Sequence, residues 1–400
     1  MAPETTAHTL FKRQFGHPPV HEVRAPAGLV LLGRAATQTQ GLVLTAAIDQ
    51  YFHLALAPRT DGKIELICNA PANRESFWVS NLASNPQTPW ADVLKSVLDQ
   101  LRKRGVPFSG FNAAMRSDSA LAILESSSSP AALAVATALG VRMLHPFSLT
   151  ETGLARPPQR DTQGRIPEPG LAEKLHLATL CSRALPLLPD SFVQAAAAVC
   201  AKAWHVLTLD LRDHTAEHLS LEGEILALSF PEKAPEQTCE MVGQLLPGAA
   251  RKLGLKSWRS VEPLFLDTVK EKLPMKTFAA AKAAVNDNFL AVAAERVLRS
   301  DDHALFGQYL ERSGENWRAV TGPLSRRQRI VVEIAKAHSA CLAAVVLPQV
   351  PGAVLHLVRH HLAPHLEQHL ASHFRALTGE TLKTVFCQPV DGAARITPFS

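Results

Sequence analysis

The sequence predicts an α+β protein built from two domains. Its 400 residues exceed what one ordinary hydrophobic core accommodates. Strand-like runs and helical stretches alternate irregularly rather than as a regular β-α repeat. A stretch rich in Pro, Gly and charge at 157–169 separates a mixed first part from a strongly helical second part. We therefore place the two domains at residues 1–170 and 171–400.

The first part begins with short strand patterns. Apolar runs predict buried strands at 29–32, 42–44 and 111–115. Residues 51–57 and 63–68 flank a turn sequence that contains Pro, Asp and Gly, which predicts a β-hairpin. Residues 90–104 place their apolar side chains on one helical face. Ser129 followed by Pro130 is typical of a helix start, with the serine as N-cap.

The second part is predicted to be mainly helical and rich in alanine. Helices are predicted at 171–187, 191–204, 277–298 and 303–312, and over most of 353–377. Strands are predicted at 206–209, 224–230, 341–347 and 383–388. This mixture supports the α+β class.

Composition excludes several functional classes. The net charge of +5 arises from 41 basic and 36 acidic residues that are interleaved, so we expect no nucleic-acid partner. No signal peptide and no apolar run of membrane-spanning length is present, so we expect no membrane partner. The six cysteines are widely spaced, which fits a reduced, cytoplasmic protein.

General motifs do not identify a function. The sequence contains neither G-x-x-x-x-G-K-[ST] nor G-x-G-x-x-G, so it has no P-loop and no dinucleotide-binding fingerprint. It also lacks H-E-x-x-H and G-x-S-x-G.

Segments along nearly the whole chain nevertheless match one family in order. They are Val23-Arg24-Ala25-Pro26, Gly41-Leu42-Val43-Leu44, Ser126 to Ser129 with Ala131-Ala132-Leu133, Leu180-Cys181, Val285-Asn286-Asp287-Asn288, Leu305-Phe306-Gly307 and Gln388-Pro389-Val390-Asp391-Gly392. The chain resembles the galactokinases of the GHMP kinase superfamily. The resemblance implies an N-terminal mixed α/β domain with a mainly antiparallel sheet, a C-terminal α+β domain, and a cleft between them for a small-molecule ligand.

The chain departs from the family motifs where the resemblance implies chemistry. The arginine that lies beside the reacting sugar hydroxyl aligns with Gly28. The aspartate of G-I-M-D-Q, which acts as base or electrostatic partner, aligns with Ala197, and Asp190 is the only carboxylate nearby. The sugar-binding Glu, His and Asp of E-H-T-D align with Arg34, Ala35 and Thr37, so Arg34 and Thr37 are the candidate acceptor-site residues.

Two further motifs are altered around the nucleotide phosphates. The glycine-rich turn is replaced by residues 120–125, ending in Glu125, whose carboxylate would repel a polyphosphate. The serines of that motif remain as candidate phosphate contacts: Ser126, Ser127, Ser128 and Ser129. Their alternative role is capping of the following helix. The family segment G-A-G-F-G-G-C reads here as 335–341, in which only the cysteine is kept.

Two functions follow from this pattern, and the sequence leaves open whether the chain is an enzyme. The first is a non-catalytic ligand-binding or regulatory homologue that has lost galactose phosphorylation. The second is an active sugar kinase that uses Mg-ATP and in which Arg34 binds an anionic acceptor. A scaffold that self-associates through its alanine-rich helices is a third and weaker possibility.

A histidine series near the C-terminus is a separate feature. His361, His365, His369 and His373 recur every four residues and would share one helix face, where a pair could chelate a metal ion. No Cys or carboxylate cluster accompanies them, so we expect a solvated helix face and no physiological metal.

Overall fold

A computed structural model describes residues 6–68, 70–118, 128–163, 166–188, 190–232, 240–346 and 352–396. Its α-helices are α1 Ala7–Phe15, α2 Ala36–Thr39, α3 Asp92–Lys103, α4 Ser128–Leu144, α5 Leu171–Arg183, α6 Ser191–Cys200, α7 Glu240–Leu253, α8 Pro263–Thr268, α9 Met275–Leu298, α10 His303–Thr321, α11 Arg326–Lys336 and α12 Ala363–Thr378. Its strands are β1 His21–Leu32, β2 Leu42–Pro58, β3 Lys63–Cys68, β4 Ala70–Trp78, β5 Phe111–Ser117, β6 Ser148–Leu149, β7 Ala155–Arg156, β8 His205–Asp210, β9 Thr215–Ser220, β10 Glu224–Phe230, β11 Cys341–Val346, β12 Val354–Arg359, β13 Lys383–Cys387 and β14 Ala394–Arg395. The α+β prediction is confirmed.

The chain divides into two compact units that are each discontinuous in sequence. The first comprises Met1–Leu29, Ala47–Ala201 and Asp391–Ser400, and the second comprises Val30–Ala46 and Lys202–Val390. The predicted division into 1–170 and 171–400 stays a prediction, and these units divide the chain differently. The reason is that α5 and α6 pack against α3 and α4, and therefore belong to the first unit.

The first unit is built on a mainly antiparallel sheet with the strand order β14-β1-β2-β5-β3-β4. Only the β3–β5 pair is parallel among the described strand pairs of this unit. Helix α1 packs through Leu10 and Phe11 against Ala55, Ala114 and neighbouring apolar side chains of the sheet. Helix α6 is buried on almost every side, because its alanines let neighbouring elements approach closely.

The predicted hairpin between 51–57 and 63–68 is wrong. Strand β2 pairs with β5, and β5 pairs in turn with β3, so β5 lies between the two segments that the turn connects. Gly110, just before β5, permits this insertion: a Cβ there would lie 2.3 Å from the carbonyl oxygen of Lys63. The turn residues were identified correctly, but a local pattern contains no information about a strand inserted roughly 50 residues later in the sequence.

The second unit contains a four-stranded antiparallel sheet with the order β11-β12-β10-β13, while β8 pairs with β9 and with Leu42–Thr45 of β2. The helix predicted over most of 353–377 is only half present. Val354–Arg359 is the strand β12, and the helix begins at Ala363. Strand β12 is buried on both faces between β10 and β11. A short continuous apolar run cannot be told from a buried helical segment by its periodicity.

His356 lies in the middle of β12 and is fully buried. Its Nε2 atom is hydrogen-bonded to Ser229 Oγ at 2.9 Å, and Ser229 Oγ is hydrogen-bonded to Thr384 Oγ1 at 3.0 Å. Burial lowers the pKa of His356 from 6.5 to about 3, because the charged imidazolium would lose its hydration. The folded protein therefore holds this side chain neutral.

This burial predicts acid destabilisation. Below about pH 6.5 the unfolded chain binds a proton at His356 that the folded chain rejects, so the free energy of unfolding falls as the pH decreases towards 3. In His356→Gln, which keeps a hydrogen-bonding side chain, we expect the slope between pH 6 and 5 to be smaller by about 1 kcal/mol per pH unit. Urea unfolding at each pH measures this, and equal slopes for both proteins would contradict it.

Candidate functional site

The first unit brings together Gly28 and Ala197, the two positions that align with catalytic residues. A Cβ at Gly28 on β1 would lie 2.7 Å from the Cβ of Ala197 and 2.6 Å from Gln194 Oε1, both on α6. Heavy atoms of side chains do not approach each other this closely. Glycine is therefore required at position 28, and no side chain fits between this part of β1 and α6.

The same contact contains neither a carboxylate nor a cation. Ala197 is fully buried, and Gln194 is 2% exposed with its Oε1 atom lacking a hydrogen-bond partner among the described residues. Asp190, the nearby carboxylate, precedes the first residue of α6 and has a φ of 55°. It is seven residues from Ala197, or roughly 10 Å along a helix axis, and does not replace the missing aspartate.

The second unit holds the candidate acceptor-site residues on the short α2 segment between β1 and β2. Gly33 opens this segment with a φ of 79°, and a Cβ there would lie 2.1 Å from the carbonyl oxygen of Leu42. Arg34 is half-buried and Thr37 is exposed. Arg34 thus lies just before α2 and Thr37 lies on it, and their role at an acceptor site stays a prediction.

A buried carboxylate on α9 holds this loop. Asp287 is 1% exposed and accepts the backbone N–H of Arg34 at 2.8 Å, and the Ser313 hydroxyl donates to its other oxygen. The next side chain, Asn288 Oδ1, accepts the backbone N–H of Leu42 at 3.2 Å. Sequence reasoning matched Asp287 and Asn288 to the family but missed their contacts. A carboxylate inside an alanine-rich helix was the available signal.

A second set of contacts holds the end of the loop. Ser257 Oγ donates to the Thr39 carbonyl at 3.2 Å, and Arg259 donates to the Gln40 carbonyl at 3.0 Å. Arg259 also forms two hydrogen bonds of 2.6 and 2.5 Å with Asp210. Partial burial alone would raise the pKa of Asp210, but these bonds and two backbone N–H groups outweigh it and lower that pKa. The loop is therefore fixed at both ends.

The serine series is only partly within the described residues. Ser126 and Ser127 lie outside them, as does Glu125. Helix α4 begins at Ser128, one residue before the predicted cap, so Ser129 lies inside the first turn. The role of these serines as phosphate contacts stays a prediction.

The segment 335–341 connects α11 to β11 without any positive φ angle. The backbone N–H of Ala340 donates to His338 Nδ1 at 3.2 Å. Glycines on α10 supply the close approach instead: a Cβ at Gly307 would lie 2.4 Å from the Leu342 carbonyl oxygen on β11. The turn between α11 and β11 is thus made without glycine.

The histidine series does not form one helical face over its whole length. His361 lies in a 3₁₀ turn, whereas His365, His369 and His373 lie on α12. Each of these three precedes a buried residue that faces α11, namely Leu366, Leu370 and Phe374. Among the residues that the structure describes, no three His, Cys, Asp or Glu side chains are grouped so that they could hold a metal ion.

His369 has close aromatic neighbours. Its ring lies 4.0 Å from the ring of His373 and 5.0 Å from that of His338. Burial lowers the pKa of His369, and the two neighbouring imidazoles lower it further.

Within the described ranges, no helix combines the length and apolar character needed to cross a bilayer.

Comparison with known proteins finds galactokinases by sequence, and galactokinase and mevalonate kinase among the solved structures. No protein-family model matches the chain. A galactokinase of Chloroflexus aurantiacus is 23% identical over 351 residues, which cover 85% of this chain and 84% of the relative. The crystal structure of Lactococcus lactis galactokinase complexed with galactose matches with a TM-score of 0.80 and 15% identity, covering 97% of this chain and 98% of that one. Mevalonate kinase of Methanococcus jannaschii matches with a TM-score of 0.57 and 13% identity, covering 93% and 99%.

The structural matches show a GHMP-kinase fold, which confirms that part of the sequence-based expectation. The match to galactokinase extends over nearly the whole of both chains. At these identities the likeness concerns the fold alone.

The loop contacts predict a large effect of Asp287. In Asp287→Ala, the Arg34 N–H and the Ser313 hydroxyl lose their acceptor in a buried place, so we expect a loss of about 3 kcal/mol in the free energy of unfolding. Asp267→Ala is the matched control, since Asp267 forms an exposed ion pair with Lys282 at 2.8 Å. There we expect a loss below about 1 kcal/mol. Urea unfolding measures both, and similar losses would refute the role of Asp287.

Proposed function

We propose, from the premise that this chain is a divergent member of the galactokinase family in the GHMP kinase superfamily, that it is a non-catalytic homologue. It would bind a small-molecule ligand or regulate a partner without phosphorylating galactose.

The contact between Gly28 and Ala197 carries this proposal. The resemblance implies an arginine and an aspartate at these positions. Here a hydrogen and a methyl group meet in a buried contact that leaves no room for a side chain at position 28. Phosphoryl transfer depends on positioned charges around the transferred group and its nucleophile. Neither position offers such a charge.

The α2 loop supports the same proposal for the sugar. At the positions where the resemblance implies Glu, His and Asp stand Arg34, Ala35 and Thr37. Ala35 is 2% exposed and packs in a hydrophobic cluster with Trp258 and Trp317. A position that would serve a sugar hydroxyl is thus part of an apolar core, and the hydrogen bonds that orient a hexose are lost.

An active kinase with a changed acceptor is the second candidate. Two observations favour it: the loop that carries Arg34 is held at both ends, and α4 still begins with serines. A fixed arginine suits a carboxylate or phosphate on an acceptor. Backbone N–H groups at the start of α4 could meet nucleotide phosphates of Mg-ATP.

The first test measures galactose-dependent ADP release from Mg-ATP, with Lactococcus lactis galactokinase as the positive control. Loss of one electrostatic contact to a transition state costs about 10²–10³-fold, so we expect a rate at least about 10³-fold below the control. A thermal-shift titration with Mg-ATP, with and without galactose, measures ligand binding separately. Galactose-dependent turnover near the control rate would overturn the non-catalytic proposal.

The second candidate makes its own prediction at Arg34. If ADP release is found with an anionic sugar acceptor, Arg34→Gln should raise the KM for that acceptor at least about tenfold, because a charge-assisted contact is lost. Arg326→Gln is the control, since Arg326 is an exposed arginine of the same unit. Equal KM values in the two variants would remove Arg34 from the acceptor site.

A further inference from the structure

We propose that Gln194 and Gly28 are an exchanged pair, in which the Gln194 side chain occupies the space that a side chain at position 28 would need. Gln194 and Ala197 together then determine which residue position 28 can carry. The meaning of this pair for catalysis rests on the proposed function, but the pair itself is defined by packing alone.

The distances show that the contact has a stiff part and an adjustable part. A Cβ at position 28 would lie 2.7 Å from the Ala197 Cβ, which is fixed to the helix backbone and cannot rotate away. It would lie 2.6 Å from Gln194 Oε1, which is the end of a side chain with three rotatable bonds. Gln194 and Ala197 are three residues apart and therefore face β1 together.

Gln194 is an unusual occupant of this place. It is 2% exposed, and its Oε1 atom has no hydrogen-bond partner among the described residues. Its neighbours 195–198 are all alanine, so Gln194 is the long polar side chain of an otherwise small-residue stretch. A buried carbonyl oxygen without a donor is unfavourable. The Gln194 side chain therefore contributes to this contact through the volume that it fills.

The sequence motifs describe the same exchange. Three residues before the aspartate, the motif G-I-M-D-Q has a glycine, and Gln194 stands at that position here. The first motif has an arginine where this chain has Gly28. A long side chain is thus absent from the strand and present on the helix. As long as Gln194 and Ala197 keep these positions, a long cationic side chain at position 28 would overlap with α6.

A double-mutant cycle tests the pair. Gly28→Ala should lower the Tm by about 5 °C or more, because the new Cβ overlaps with α6. Gln194→Ala alone should change the Tm less, and the double variant should recover part of the loss, because the overlap with the Ala197 Cβ remains. Adding Ala197→Gly should relieve the overlap with the Ala197 Cβ. Ala197→Gly is also measured alone, because glycine weakens a helix. Additive Tm changes for Gly28→Ala and Gln194→Ala would overturn the proposal.

Gly140 provides the matched control. It lies on α4 in the same unit, and a Cβ there would meet the side chain of Leu56 at 2.9 Å, with Leu54 and Leu56 as its nearest neighbours. Gly140→Ala is expected to destabilise the protein to the same extent whether or not it is combined with Gln194→Ala. Rescue of both glycine substitutions by Gln194→Ala would mean a general effect on stability and would overturn the specific pairing.

A size test extends the cycle to an arginine at position 28. We expect Gly28→Arg and Gly28→Met to yield folded, soluble protein only together with both Gln194→Gly and Ala197→Gly, as judged by a cooperative thermal transition. A cooperative transition at an unchanged Tm for Gly28→Arg alone would overturn the proposal. Galactose turnover by the unsubstituted protein would refute the non-catalytic function but leave the cycle unaffected, so the two failures are distinguishable.

Discussion

The close approach of α6 to β1 is the constraint on which the first unit depends. A strand and a helix that meet through a glycine and an alanine approach each other closely, and the Gln194 side chain lies beside their contact. The contact binds the last helix of this unit to its sheet, and an alanine-rich sequence on α6 makes it possible. The same closeness leaves no room for a side chain at position 28. Close packing therefore occupies this volume.

The second unit uses a buried charge for a structural purpose. Asp287 accepts a backbone N–H and a hydroxyl, and so fixes the loop that carries Arg34. A buried carboxylate is tolerated only when donors surround it, and here those donors come from the loop and from Ser313. The loop consequently keeps a defined conformation. Conservation of a shape thus need not indicate conservation of its chemistry.

Local patterns predicted most elements, and long-range contacts account for what they missed. The amphipathic pattern at 90–104 corresponds to α3, because a surface helix shows its buried face directly in its periodicity. Strand β12 was taken for helix because both of its faces are buried. For the site, alignment with family motifs predicted that Gly28 and Ala197 lack reactive groups. Neither alignment nor periodicity indicated that Gln194 fills the space beside them, since that requires the position of α6.

The insertion of β5 between β2 and β3 has a consequence for how the first unit is assembled. A ribosome delivers β2, the short turn and β3 before residues 111–117 exist, so these two strands are free to join directly for a time. Pairing between neighbours in sequence forms within microseconds, whereas β5 must return across about 50 residues. The final strand order can form only if β2 and β3 do not pair first, or if that pairing breaks again. The strand order therefore makes early folding of this unit prone to a kinetic trap. If β5 is delayed, β2 and β3 would remain paired with each other.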